Sequence, residues 1–450
     1  MLSDMFAYRE RRGEPTVTFK KRLLAAVLVT ASTCLSYQGQ AAPLRDELVD
    51  LVASHPLIQS NRFQVQSADQ DVRAALAPYL PTLDLTADAG QQRVSTVALR
   101  STPNGPLESG TETWGLSLTQ NVYDGGLKSS NRVSSKLQRD VADITLTSVR
   151  QGIMFEGVAS YLDVLRQSQL LDLSLQNEEN IRRQLNLEDE RVRRGSGIAV
   201  DVLQAKSRLQ IALERKVFVQ GAQVHARSRY LQVFSHAPEP ATMLMPTPPN
   251  QLLPKNVDDA ISVALTENPA IKSGQRQIEI ANQNREGVVS EFYPTIDVVA
   301  EGNYEDDFNG VPGIRRDYSV KVRANWNLFN GLSTKSRSKG AAYTYQARQS
   351  DYVQTRRKVE EQTRLAWQAL MTARQRVELL DNAVNIAGEV FESRERLRES
   401  GRETALNVLD AENEVFSARI NYTSALFDSR VAAYQLLLAM GRLDQVAGRT

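Results

Sequence analysis

Gly195-Ser196-Gly197-Ile198-Ala199-Val200-Asp201-Val202-Leu203-Gln204-Ala205 is echoed 206 residues later by Gly401-Arg402-Glu403-Thr404-Ala405-Leu406-Asn407-Val408-Leu409-Asp410-Ala411. The same offset aligns Asn121-Val122-Tyr123-Asp124-Gly125 with Asn327-Leu328-Phe329-Asn330-Gly331, and Tyr161 with Trp367. Nearer the start, His55-Pro56 matches Asn268-Pro269, and Tyr79-Leu80-Pro81-Thr82 matches Phe292-Tyr293-Pro294-Thr295, both at an offset of 213. The seven-residue difference falls between the two sets of blocks and marks a length-tolerant loop. A unit this long is not a solenoid repeat; it predicts two pseudo-equivalent halves.

Composition argues for extended helices rather than several compact globules. In 450 residues aromatics make up 6% and mean hydropathy is −0.38, while long stretches rich in Gln, Arg, Ser, Ala and Glu contain no proline. A net charge of +1 leaves no overall basic footprint, so no nucleic-acid partner is expected.

Lys20-Lys21-Arg22, the apolar run Leu23-Leu24-Ala25-Ala26-Val27-Leu28-Val29 and the small-residue site Gly39-Gln40-Ala41 read as a secretory signal over 1–41. Nineteen residues precede its basic cluster, long and charged for such a signal, so translation is expected to begin at Val17. Removal through Ala41 takes away six Lys/Arg and three Asp/Glu and leaves a mature net charge of −2. It also removes Cys34, the single cysteine, and with it any disulfide or Cys-ligated metal. Ala31-Ser32-Thr33-Cys34 is a poor lipoprotein box because Thr precedes the cysteine.

Beyond the signal no apolar run approaches the roughly 20 residues of a spanning helix. Strand alternation occurs instead, at about 82–90, 113–123, 295–303 and 317–328. The clearest case sets Tyr318, Val320, Val322, Ala324, Trp326 and Leu328 against Ser319, Lys321, Arg323, Asn325 and Asn327. One such strand would fit a half-buried sheet in a soluble domain. Four of them, in two hairpins behind a secretion signal, fit a barrel wall with lipid outside and water inside. Tyr79, Tyr123, Phe292, Tyr293 and Phe329 fall at the strand–helix junctions, where an interfacial aromatic belt would lie. Four strands cannot close a barrel, since single-chain examples need at least eight, so the chain is expected to oligomerise; three copies supply twelve.

Between the strands, 126–194 and 332–400 are proline-free and long enough for ~100 Å of helix each. Leu370, Val377, Val384 and Phe391 recur every seven residues with Ala373, Leu380 and Ala387 between them, a coiled-coil seam with small knobs. The return helices, about 200–236 and 404–440, are half as long. Helices at about 44–77 and 257–290 have the missing length and are expected to stack end to end with them beside the long ones. The first repeat thus spans 42–236, a proline-rich extended linker 237–256, the second repeat 257–441, and a short tail 442–450.

Little here suits an enzyme. His55, His225 and His236 are the only histidines, no HExxH or P-loop occurs, and no metal or cofactor site is expected. His55 before Pro56 reads as structural, and Gly195-Ser196-Gly197 follows a helix and reads as a turn, not a dinucleotide fingerprint. The concentrated polar residues are at the two hairpin turns. Arg191, Arg193 and Arg194 precede Gly195; Arg394, Arg396, Arg398 and Arg402 surround Gly401, with Glu403, Asn407, Asp410 and Glu412 following. Helix termini alone favour such charges. Asn407 and Asp410, three apart, share a helical face, and threefold symmetry would turn each into a ring.

The signal, the two strand–long helix–turn–helix halves and the Gly-x-x-x-x-x-[Asp/Asn]-Val-Leu-x-Ala turns together resemble the TolC-like outer-membrane channel family over nearly the whole mature chain. The resemblance implies a mainly α fold with a small β-barrel part: a homotrimer whose twelve-stranded barrel lies in outer-membrane lipid and continues as a periplasmic coiled-coil tunnel. It further implies a periplasmic adaptor and an inner-membrane ABC or RND transporter as partners, with the helical tips closing the tunnel until engaged. By position, Asp410 matches an acidic ring residue at the constriction and Asp201 a member of the closing network. Asn407 stands where the family often has a second acidic ring, and Glu403 where a gating Arg can occur, which shifts the lock to Arg402 or Arg398. Gly195, Gly197 and Gly401 are the turns expected to meet the adaptor. The second hairpin is expected to be the moving gate. The function implied is a passive exit duct, with type I protein secretion ahead of small-molecule efflux; a secreted coiled-coil scaffold without a pore is the competing class.

Overall fold

The computed structural model describes residues 44–101 and 107–447. The signal over 1–41, the start at Val17, Cys34 and the turn Asn104-Gly105-Pro106 lie outside the described residues, as do the last three of the tail. The first repeat runs α1 (Leu44–Ser54), α2 (Pro56–Ala74), β1 (Thr82–Val94), the single turn α3 (Val97–Arg100), β2 (Leu107–Tyr123), α4 (Leu127–Arg193) and α5 (Ala199–Phe234). The second runs α6 (Val257–Glu267), α7 (Pro269–Val289), β3 (Thr295–Asp306), β4 (Ile314–Asn325), α8 (Ser333–Glu399) and α9 (Ala405–Met440), with α10 (Asp444–Ala447) after it. α4 and α8 both have 67 residues, and α5 and α9 both have 36. All four bounds repeat at the 206-residue offset read from the turns.

The strands form one antiparallel sheet in the order β1-β2-β3-β4, so β2 and β3 join the repeats and β1 and β4 are open edges. Register repeats too: Leu85 faces Leu116 in the first hairpin, and Val298 faces Val322 in the second. Thr82 and Thr295 each donate from Oγ1 to the carbonyl across the hairpin, Thr119 and Asn325, both at 3.4 Å.

Several bounds differ from the sequence reading. Helices expected as continuous over 44–77 and 257–290 break at His55 and Asn268, because the residue before proline is pushed out of the helical region; ψ is 127° and 128°. Both become N-caps. His55 Nδ1 accepts from the Leu57 N–H at 3.2 Å and Asn268 Oδ1 from the Ala270 N–H at 2.8 Å, so His55 has a structural task. The first of these segments also stops short, at Ala74, before a 3-10 turn at Ala77–Tyr79. The strands expected at 82–90, 113–123 and 295–303 run further toward the hairpin ends: Gln91 to Val94 pair with Leu107 to Gly110, with an ion pair between Arg93 and Glu108 at 3.3 Å, and this stretch lacks the apolar–polar alternation that marks the rest of the hairpin. The strand expected at 317–328 is instead Ile314–Asn325, leaving Trp326, Asn327 and Leu328 outside the sheet.

Each long helix is covered in two halves. Toward the sheet α4 meets α2 through Arg139–Asp69 (3.1 Å) and α7 through Ser134–Asn284 (3.2 Å). Toward its far end it meets α5 through Glu178–Lys216 (2.7 Å). Of the heptad seam, Leu370, Ala373 and Ala387 are buried and Val377, Val384 and Phe391 half-buried; on the return helix Leu409, Phe427 and Tyr434 are buried. The main core lies at mid-length, where Tyr161, Tyr230, Phe427, Leu436 and Met440 are shut off from solvent. The segment 237–256 straps this core: Met243, Met245, Leu252 and Leu253 pack on it, and the Tyr161 hydroxyl donates to the Leu244 carbonyl at 2.8 Å. No described helix is long and apolar enough to cross a membrane.

Candidate functional site

Two regions carry chemistry: the hairpin tips and the sheet. Both tips turn the chain in the same way. Gly195 and Gly401 have φ of 76° and 74°, a left-handed backbone natural to glycine. The Ser196 and Arg402 N–H groups reach back to the carbonyls of Arg191 and Leu397 at 3.0 and 2.9 Å, which closes each long helix with a Schellman motif. Past the turn the two differ. A Cβ on Gly197 would sit 2.8 Å from the Val192 backbone nitrogen, so the first tip folds flat on α4. Its counterpart Glu403 has a side chain, which accepts from Asn407 Nδ2 at 2.5 Å and from the Thr404 N–H at 2.9 Å. Asn407, then the Thr404 amide, hold the Glu403 carboxyl below its usual range. Thr404 caps α9 by accepting from the Asn407 N–H at 3.3 Å, and Arg394 donates to the Asn407 carbonyl at 3.0 Å.

Further along the tips, the pairings differ from those expected. Arg398 of α8 donates to Glu188 of α4, linking the hairpins where both side chains are nearly buried, and Arg191 lies 3.6 Å from the same carboxylate oxygen. Asp410 of α9 accepts from Arg208 of α5. Among the described residues, Asp201 and Arg402 have no side-chain hydrogen bond or ion pair, although both were candidates for the closing network. Glu188 and Arg208 were missed. Their equivalents at the 206 offset are Arg394 and Glu414, a reversal of charge at matched positions that was visible in the sequence. Glu412 is another buried member: Oε2 has no partner among the described residues, and burial, opposed by Asn180, pushes its carboxyl upward.

On the sheet, pairing register sorts the side chains into two faces. Leu83, Leu85, Trp114, Leu116, Val320 and Val322 lie on one, all exposed, with the Tyr318 ring within 3.1 Å of where a Gly302 Cβ would be. The opposite face is polar: Glu301 takes ion pairs from Lys321 at 2.9 Å and Arg323 at 3.3 Å. The expected aromatics Tyr79, Tyr123, Phe292, Tyr293 and Phe329 all sit exposed at the strand–helix junctions. Trp326, read as a wall residue, joins them, its Nε1 donating to the Phe292 carbonyl at 3.1 Å. Lys128 lies 5.4 Å over the Tyr79 ring, a cation–π contact at the first strand–helix junction.

A sheet apolar on one face and charged on the other, continued through aromatic junctions into helical hairpins, defines a subunit of a membrane-embedded channel with a helical extension. The outer membrane efflux protein family model matches residues 48–232 and 260–442, and the chain belongs to that family. It is an outer-membrane channel component with a helical part in the periplasm, an exit duct for export and not an enzyme. It is 26% identical over 429 residues to outer membrane efflux protein BepC of Brucella suis, covering 94% of this chain and 91% of that one. It is 22% identical over 341 residues to alkaline protease secretion protein AprF of Pseudomonas aeruginosa, 73% of this chain and 69% of that one. The fold matches the crystal structure of outer membrane protein VceC from Vibrio cholerae with a TM-score of 0.75 at 17% identity, covering 88% and 96%. Membership sets aside the secreted scaffold without a pore.

Proposed function

We propose that three copies close a twelve-stranded barrel in the outer membrane and a helical tunnel below it, and that this duct carries polypeptides out of the cell in a type I secretion machine. The observation that carries the trimer is the pair of open edges, β1 and β4, on a sheet with an apolar face. Unpaired strand edges are untenable in hydrocarbon, so neighbouring copies must pair them. The helices point the same way: Leu203, Ile211 and Phe218 on α5 and Leu379 and Ile386 on α8 are 60–69% exposed, apolar stripes at helical spacing that need a neighbour. The Gly195, Gly197 and Gly401 turns would meet the periplasmic adaptor, which joins the duct to an inner-membrane ABC transporter. Asp410, Asn407, Asp201, Glu403, Arg402 and Arg398 are the residues assigned to the constriction and its closure.

Protein cargo is supported by the likeness to a relative named for secretion of a protease. Efflux of small molecules by an RND pump is the second reading, favoured by the relative named for efflux. Heat-modifiable trimers in outer-membrane fractions and conductance in planar bilayers test the duct. Comparing secreted proteins and drug susceptibility in a deletion strain tests the cargo: loss of a secreted protein with unchanged susceptibility is expected, and the reverse would overturn secretion.

A further inference from the structure

We infer that the seam between copies pairs β4 of one copy with β1 of the next in the register of the β2–β3 pair, clasped by Asn327 of one copy and Asp84 of its neighbour. This rests on the trimer reading above and specifies its contact.

The register follows from the repeat. Offsets of 206 and 213 carry β2 onto β4 and β1 onto β3, and the two hairpins obey them pair for pair: Thr82↔Thr119 becomes Thr295↔Asn325, and Leu85↔Leu116 becomes Val298↔Val322. The β2–β3 pair is the junction between one repeat and the next, and in a closed ring β4 meets the following β1 in the equivalent place. Within the chain that junction has Asn121 facing Asp297, with Asn121 Nδ2 donating to Asp297 Oδ1 at 2.8 Å. The same offsets turn this pair into Asn327 and Asp84. Ser117↔Glu301 becomes Arg323 facing Asp88, and Gln120↔Val298 becomes Trp326 facing Leu85.

Three of the residues so matched have no mate within the described part of the single chain, while Arg323 has Glu301 and Trp326 the Phe292 carbonyl. Among the described residues, Asp84, Asp88 and Asn327 are exposed and make no side-chain hydrogen bond or ion pair. Trp326 and Leu85, 57% and 66% exposed, would cover each other. Backbone accounts agree. Gln120, Asn121 and Tyr123 pair with β3 around a bulge at Val122, whereas their equivalents Trp326, Asn327 and Phe329 have no facing strand within one copy and lie outside the sheet. Aligning the strand ends instead, Thr82 with Asn325, would put Asp84 against Arg323 but leave Trp326 to Phe329 unpaired. Arg323 can turn to Asp88 without stranding Glu301, which keeps Lys321 at 2.9 Å.

The test is disulfide trapping in the full chain with Cys34→Ser. Asp84→Cys with Asn327→Cys places facing Cα atoms about 5 Å apart, within disulfide reach. Oxidised outer-membrane fractions are expected to give a covalent trimer after boiling that reductant returns to monomer. The shifted pair, Asp84→Cys with Arg323→Cys, is expected to give less than about a tenth of that yield, its strands being four residues out of register. Asp88→Cys with Arg323→Cys reports the same register should the first pair fail to assemble. As a readout without cysteines, Asp88→Arg should lower the trimer's dissociation temperature and added Arg323→Asp should restore it. Cross-linking of the shifted pair, or of neither in-register pair in trimers that remain heat-modifiable, overturns the register and leaves the duct reading intact. Absence of any trimer from the unmodified chain removes both.

Discussion

Arg398 on α8 and Glu188 on α4 form an ion pair between the two helical hairpins with only 10% and 4% of their side chains exposed. Glu188 also has Arg191 beside it, while Arg398 Nη1 has no partner among the described residues. Such a pair contributes less to net stability than to geometry, because desolvation offsets much of its attraction, yet removing one member strands the other charge.

Arg398→Ala should therefore cost about 3–5 kcal/mol locally and part the tips. Single-channel recording should show a larger or more frequently open pore. Unchanged conductance would mean that the pair is not part of the closed state.

Asp410 has Arg208 as its partner, so any acidic ring it forms is partly neutralised. Asp410→Ala should weaken block of the channel by a multivalent cation, and Arg208→Ala should strengthen it. Titration of block in planar bilayers gives both, and shifts of the same sign would remove the two residues from the constriction.

Glu412 predicts a pH effect. Its folded carboxyl is raised above the unfolded value by burial, so the stability it contributes is fully present below the unfolded pKa and is lost as pH rises through the folded one. The groups facing it are Asn180 and Arg183 from α4 and Glu395 from α8. Glu412→Gln should stabilise the protein at neutral pH by roughly 1–2 kcal/mol and have little effect near pH 4. Thermal melts of both proteins across that range check it; equal shifts at both ends would refute the assignment.

Gly125→Ala should be the most damaging single change at the first strand–helix junction. φ is +70°, and the new Cβ would lie 2.5 Å from the Ser290 carbonyl oxygen and 2.9 Å from Tyr293 Cβ. Its repeat mate Gly331 has φ of +68° but open space around it, so Gly331→Ala should cost only the backbone strain, about 1 kcal/mol. Yields of heat-modifiable trimer from the two variants should rank accordingly.

Much of the architecture was legible because a duplicated chain reports on itself. The seven-residue periodicity through Leu370 and Ala373 and the alternation through Val320 and Val322 are local consequences of 3.5- and 2-residue spacing, so they survive without knowledge of any partner. The prolines after His55 and Asn268 are local signals for a break, yet helices continuous over 44–77 and 257–290 were expected; the breaks and the N-capping both appear only with coordinates. Position along the chain sets the five aromatics at the strand–helix junctions, and within one copy Trp326 lies outside the sheet because alternation continues through it while pairing does not.

By itself the sequence determined the two halves, their helix and strand types, the sidedness of the sheet and the turns at Gly195 and Gly401, because each depends on neighbours a few residues away or on an equal offset along the chain. Only the tertiary structure decided that Arg398 meets Glu188, that Asp410 meets Arg208, and that Asp201 and Arg402 make no side-chain hydrogen bond or ion pair among the described residues. Those pairings join residues about 200 positions apart on different hairpins, where the rotation of one coiled coil against another, and not spacing along either helix, sets which charges face each other.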